Sequence, residues 1–235
     1  MSLISATLRL DVRIQARSRL YAIGIAVALV LGLVARYFFD DDHAGRVLAS
    51  LYLLGVGGTT YIFGASLLLL EKSQGTLQAL RATPLTSNAY LGSKAVTLTM
   101  FALVESVIIY IIGFPGADVS FWTLVLGVGS LGVAYTLVGM GQVAAHDSVT
   151  SFLMPGALIV GGILQLPFLY VLGVGPDGLW YAIPTQGPFL VMLGAFEPME
   201  PWKWMYALGM SAAFVGVSAW WARHRLSRFV GLQDE

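Results

Sequence analysis

The sequence predicts an all-α polytopic membrane protein, with six transmembrane helices, an amphipathic helix ahead of the first and short re-entrant helices on the outer side. Three observations predict it. Apolar residues make up 57% and charged residues 11% of the chain, against roughly 45–50% and about 25% in a typical soluble domain. Mean hydropathy is +0.78. The few charges cluster between apolar runs long enough to cross a bilayer. No soluble fold covers so much apolar surface, which excludes water-soluble enzymes, nucleic-acid binders and disordered chains. A net charge of zero offers nothing to a polyanion, so no nucleic-acid partner is expected. With no cysteine there is no disulfide, iron–sulfur cluster or thiolate zinc site.

A helix rises about 1.5 Å per residue, so a hydrocarbon core roughly 30 Å thick takes about 20 apolar residues. Six segments supply them: Leu20–Phe39, Val47–Leu70, Ala95–Phe114, Phe121–Ala145, Ser151–Gly173 and Trp202–Ala222. Transmembrane strands would alternate at period two, whereas Ile23–Val34 and Val107–Ile112 are continuously apolar. The first span does not read as a cleaved signal peptide. It follows nineteen residues carrying four arginines, and no short apolar region ends in a small-residue cleavage site.

Basic residues set the orientation. Arg9, Arg13, Arg17 and Arg19 precede span one, Lys72, Arg81 and Lys94 lie between spans two and three, and Arg223, Arg225 and Arg228 follow span six. Ten of the thirteen Lys and Arg residues thus share one side, which reads as cytoplasmic. Asp40, Asp41, Asp42, Asp118, Asp177, Glu197 and Glu200 fall on the other. A multi-pass protein with both termini in the cytoplasm is expected.

Residues 1–19 form the leading segment. Arg9, Arg13 and Arg17 recur every four residues, with Leu3, Leu10 and Ile14 on a neighbouring arc that Asp11 and Gln15 interrupt. This reads either as an amphipathic helix lying on the cytoplasmic leaflet or as a basic leader that only sets topology. Residues 71–94, EKSQGTLQALRATPLTSNAYLGSK, form the longest cytoplasmic connection. Ser73 suits a cap, Leu77 and Leu80 share a face, and Pro84 stops the helix. Such a ridge would bury little against its own chain, so it is a docking knob for another protein or an ordinary surface turn. Residues 175–201 carry Pro176, Pro184, Pro188, Pro198 and Pro201 around the apolar stretch Phe189–Phe196, too short to span. They are expected to dip part-way into the bilayer and cap a pathway between spans five and six, the alternative being a plain outer loop. Small residues spaced by four, Gly24, Ala28 and Gly32, then Gly209 with Ala213 and Ala212 with Gly216, suit close packing inside the chain. Pro155, Pro167 and the Gly161-Gly162 pair bend span five, where Gln165 would line a moving pathway.

Glu105 is the one acidic residue deep in a span. Ionised at mid-bilayer it would cost about 2.5–3.5 kcal/mol. It should therefore face protein or water or hold a proton, either as a proton-coupling or substrate-contact carboxylate or as a structural acid bonded to a neighbouring helix. His146 and Asp147 adjoin the inner end of span four, and His43, His146 and His224 are too scattered for a metal site. The chain lacks a P-loop, a nucleophile elbow, an H-E-x-x-H motif and a dinucleotide fingerprint, so no catalytic residue and no cofactor are expected in it.

Glu71-Lys72-x-x-Gly75-Thr76-Leu77-x-x-Leu80-x-x-Thr83-Pro84-Leu85, followed by Tyr90-Leu91-x-x-Lys94, resembles the signature of type-2 ATP-binding-cassette (ABC) exporter permeases. Leu8-Arg9-Leu10-Asp11-Val12-Arg13, His146-Asp147-Ser148, Gln165-Leu166-Pro167 and Pro184-Thr185-Gln186 resemble a bacterial subgroup of fluoroquinolone-export permease subunits. The resemblance covers nearly the whole chain. It implies one permease domain over residues 1–235 without a nucleotide-binding domain, paired with a second copy or a sister permease in a prokaryotic inner membrane. Separate ABC ATPase subunits would bind ATP and Mg. The leading helix would be the connecting helix, and Glu71, Gly75, Thr76, Leu77, Leu80 and Arg81 would sit at the ATPase contact. Spans two and five would line the cavity, with Tyr61, Phe63, Phe152, Gln165 and Phe168 suiting an amphipathic, drug-like or lipid-like solute. Two other readings compete: a proton-coupled secondary carrier using Glu105, and a non-transporting membrane assembly protein.

Overall fold

The computed structural model describes residues 3–77 and 86–230, and among them the only regular elements are helices. Six are long and apolar enough to cross a membrane: Leu20–Phe38, Asp41–Ser73, Ser87–Gly113, Phe121–Val143, Val149–Val171 and Pro201–Phe229, here spans one to six. The sequence segments are recovered, with spans two, three and six running further than their apolar runs. Span two has 33 residues and at about 1.5 Å per residue is roughly 50 Å long, so its last turn, with Glu71 and Lys72, projects past the hydrocarbon. Span three begins at Ser87, capped by Thr86, whose hydroxyl accepts from the Ala89 amide at 3.3 Å. Lys94, expected in the connection, therefore lies two turns inside this helix.

Spans two, three, four and six build the centre. Leu53, Leu68, Ile109, Val128, Leu131, Tyr135 and Met140 are fully buried there. Span one buries the ridge Gly24, Ala28, Gly32 and Ala35 against span three. The approach is close: a Cβ on Gly32 would come within 2.8 Å of the Ile112 Cβ. Without a hydrophobic drive between helices in lipid, such small-residue contact is what holds them. The expected ridge on span six is corrected. A Cβ added at Gly209 or Gly216 would meet no atom of another described element within 4 Å, and that helix buries Ala207, Ser211, Phe214, Ser218 and Ala222 instead.

The leading helix, Leu3–Arg17, packs on span three. Its inward face is the reverse of the apolar arc: Asp11 and Gln15 are buried, while Leu10, Val12, Arg9, Arg13 and Arg17 are exposed. Span three offers polar partners at that level, so the residues that interrupt the apolar pattern become the attachment. Gln15 Nε2 donates to Thr97 Oγ1 at 2.7 Å, and the Tyr21 hydroxyl donates to Gln15 Oε1 at 2.7 Å. Arg19, in the left-handed region at φ 61°, turns the chain into span one.

The proline-rich segment forms two short helices, Asp177–Trp180 and Gln186–Leu193. Every residue of the second is buried. It packs between spans four and six and against the start of span two, rather than between spans five and six. Gly187 permits the seat, since a Cβ there would lie 2.8 Å from the Ser211 amide nitrogen of span six.

Candidate functional site: a rooted loop and a groove

A polar joint at one end of the bundle and a groove along it organise the functional side chains. The joint lies at the basic end of the bundle. Lys94 Nζ donates to Glu71 Oε1 at 2.6 Å and to Asp11 Oδ1 at 2.9 Å, with the Lys94 side chain only 1% exposed. The Tyr90 hydroxyl donates to Glu71, and the Ser93 hydroxyl to Asp11. One cation thus holds two carboxylates from two other elements. The joint ties the leading helix and the last turn of span two to span three, and its remaining lone pairs are met by hydroxyls. Beyond it, Gly75 adopts φ 70°, which favours glycine, and helical backbone resumes at Thr76 and Leu77.

This geometry corrects two site expectations. Glu71 is buried in the joint and Leu77, at 5% exposure, packs into the apolar core, so neither presents its side chain to a separate subunit. They root the loop instead. Among the described residues between the two roots, Ser73 and Gln74 are exposed and Gly75 and Thr76 half-buried, so these are accessible to a partner. Leu80 and Arg81 lie outside the described residues.

Lys72 joins the second basic-face loop to the first. Its Nζ donates to the carbonyl oxygens of Ala144 and His146 at 2.7 and 2.9 Å and pairs with Asp147 at 3.6 Å. It thereby caps the end of span four, where carbonyls lack helical partners. His146 Nδ1 bonds the Gln142 carbonyl oxygen at 3.1 Å, and its ring meets Phe152 edge-on. Sequence reasoning picked His146 and Asp147 but missed Lys72, Lys94 and Asp11. The available signal was Asp11 and Gln15 one turn apart on an otherwise apolar arc.

A groove of about 450 Å³ runs between spans two and five, with Val27 of span one on its flank. Tyr61, Phe152 and Gln165 are among the residues that line it. Tyr61 stacks on Phe152 with ring centroids 5.6 Å apart and donates to Gln142 on span four. Small residues, Gly58, Gly156, Ala157 and Gly161, open the space. Phe63 and Phe168 are corrections. Phe63 turns to the opposite side of span two and packs with Leu20, Leu67, Leu98 and Phe101. Phe168 belongs to the short helix Phe168–Val171 past the break in span five and leans on the core.

Glu105 stands behind the groove wall. It is buried, and Thr59, a groove residue on span two, donates its hydroxyl to Glu105 Oε2 at 2.8 Å. That is the neighbouring-helix bond of the structural reading. Glu105 Oε1 has no hydrogen-bond partner among the described residues and lies against Gly24.

At the acidic end lies a second cavity, about 480 Å³, among Arg46, Tyr170, Leu190, Glu197, Glu200 and Lys203. Arg46 Nε pairs with Glu197 at 3.2 Å and Lys203 with Glu200 at 3.2 Å. Hydrogen bonds from Lys203 and Trp202 hold the Glu200 carboxyl below the usual carboxylate range.

Residues 2–233 match the sequence profile of the Fluoroquinolones export permease protein family. Two curated relatives, each named Fluoroquinolones export permease protein and coming from two strains of Mycobacterium tuberculosis, are 28% identical over 217 residues, covering 88% of this chain and 88% of theirs.

Proposed function

The chain belongs to the fluoroquinolones export permease protein family, and from that membership we propose that it is the membrane-spanning subunit of an ATP-driven exporter. Its partners are separate ABC ATPase subunits, which hold ATP and Mg, and a second copy or a sister permease. Its solute is a small amphipathic molecule of the fluoroquinolone kind, in keeping with the relatives' names. The basic face is cytoplasmic, because basic residues concentrate there, and the membrane is a prokaryotic inner membrane. The chain itself carries out no chemistry.

One observation carries the reading: the basic-face loop is rooted, through Glu71 in a buried joint shared with the leading helix and span three, and through Leu77 in the apolar core. Span two is unbroken α-helix, Gly57–Ser73, between that joint and the groove. A push on Ser73–Thr76 is therefore delivered to the groove wall rather than absorbed by a loose loop. An ATPase shifts the permease between conformations only through contacts that differ between them, and a rooted loop supplies such contacts.

The test replaces the accessible surface and spares the roots. The double variant Gln74→Arg, Thr76→Arg should insert and unfold as the parent does, yet permease-stimulated ATP hydrolysis should fall about tenfold or more, within the range of measured site-to-site couplings. Stimulation at the parental level would remove the loop from the coupling path.

A further inference from the structure

Two sequence motifs, Gln165-Leu166-Pro167 and Pro184-Thr185-Gln186, lie outside the loop, and the fold brings them together at one end of the groove. Span two enters the groove from the acidic side at Leu54, and span five leaves it there at Gln165. Gln165 Nε2 donates across the gap to the Leu54 carbonyl oxygen at 3.0 Å. Both residues sit at wide, π-type turns: Tyr52–Val56 in span two and Val160–Leu164 in span five, the latter closed by a bond from the Gln165 amide back to the Val160 carbonyl at 2.8 Å. Such turns gather at functional sites, since the extra residue is taken up or released by a shift of one position in the hydrogen-bond ladder.

The second motif clamps the same spot. Thr185 Oγ1 donates to the Leu164 carbonyl at 2.6 Å, and the Tyr135 hydroxyl donates to the same oxygen at 3.0 Å. Next to Thr185, the fully buried Gln186 amide has no hydrogen-bond partner among the described residues at either Nε2 or Oε1. A buried amide with both ends unpaired is costly, and a rearrangement that supplies it with water or a carbonyl removes that cost. Past this point lies the charged cavity of Arg46, Glu197 and Lys203.

We propose that Gln165, held by the Leu164–Thr185 clamp, is the latch of the groove's outer gate, and that opening exchanges its bond to Leu54 for a one-residue shift in the two wide turns. Gln165 is a positioning residue here: it acts by joining spans two and five above the solute. The proposal rests on the export reading for what passes through, but the latch itself is testable without an ATPase.

The chain has no cysteine, so a single thiol reports on the groove. A Cβ at Gly58 would sit 3.4 Å from Gln165 Nε2, an ordinary contact, so Gly58→Cys fits directly beneath the latch. The reagent is a charged, membrane-impermeant maleimide added from the acidic side of oriented vesicles. With Gln165 present and no nucleotide, the introduced thiol should be protected. Gln165→Met, which keeps length but removes the donor, should raise the labelling rate about tenfold or more, a population shift of that order. Thr185→Val should act in the same direction if Gln165→Met does not fold. An unchanged rate in both variants, or a parent already labelled at the open rate, overturns the latch. Adding a co-purified ATPase with ATP separates the two claims. If nucleotide exposes the thiol but neither latch variant does, the latch falls and the export reading stands. If the variants expose it and nucleotide never does, the latch stands and the ATP-driven reading falls.

Discussion

Replacing Lys94 with methionine is expected to destabilise the protein by about 3–5 kcal/mol, the usual consequence of breaking a buried ion pair from one side. Two carboxylates, Asp11 and Glu71, would be left buried with only the Ser93 and Tyr90 hydroxyls as donors. Their mutual repulsion adds to the lost attraction. The compensating variant is the neutral triple, Asp11→Asn, Glu71→Gln, Lys94→Met. Removing all three charges together leaves no buried charge unpaired, which is the source of the single variant's cost, so most of the loss should return. Thermal unfolding of the purified protein in one fixed detergent reads both. A single variant within about 1 kcal/mol of the parent, the scale of an exposed pair, would mean the joint is hydrated rather than closed.

The second large effect separates the two faces of span two. Phe63→Ala removes a buried ring from the cluster with Leu20, Leu67, Leu98 and Phe101, and should cost about 3–5 kcal/mol while leaving solute affinity as it was. Ala157→Trp does the opposite. Ala157 is exposed at the groove, so an indole there fills the solute's space without displacing core atoms. Solute binding, followed by fluorescence quenching or equilibrium dialysis, should weaken about tenfold or more, since losing one well-filled apolar contact is worth 1–3 kcal/mol. Solute affinity lost in Phe63→Ala and kept in Ala157→Trp would place the binding face on the wrong side of span two.

That contrast shows what the sequence holds and where it stops. The six spans were legible because lipid solvates no backbone, and each crossing needs about 20 apolar residues in a row. The rotation of a span was not. Tyr61 and Phe63 are two residues, about 200°, apart on a helix, and in a segment apolar all round neither is marked as facing the groove. The wide turns at Tyr52–Val56 and Val160–Leu164 carry no sequence signature beyond scattered glycines. Glu71 and Leu77 were picked by resemblance, and the fold turns them inward, because a charge and a leucine at the end of a span find partners on the adjoining helices. Asp11 and Gln15 looked like flaws in an amphipathic pattern, yet they are the face by which the leading helix is held. Polar residues that break an apolar arc next to a membrane are better read as contacts sought than as noise.

The export reading holds that this bundle moves solute only when a separate ATPase drives the rooted loop. Its most direct measurement is uptake of a fluorescent fluoroquinolone into proteoliposomes whose ATPase-binding face points outward. Three conditions are compared: permease alone, permease with an imposed proton gradient, and permease with a co-purified ABC ATPase and Mg-ATP. Transport in the third condition only is the predicted result. Uptake by the permease alone, or driven by the proton gradient and lost in Glu105→Gln, would contradict it.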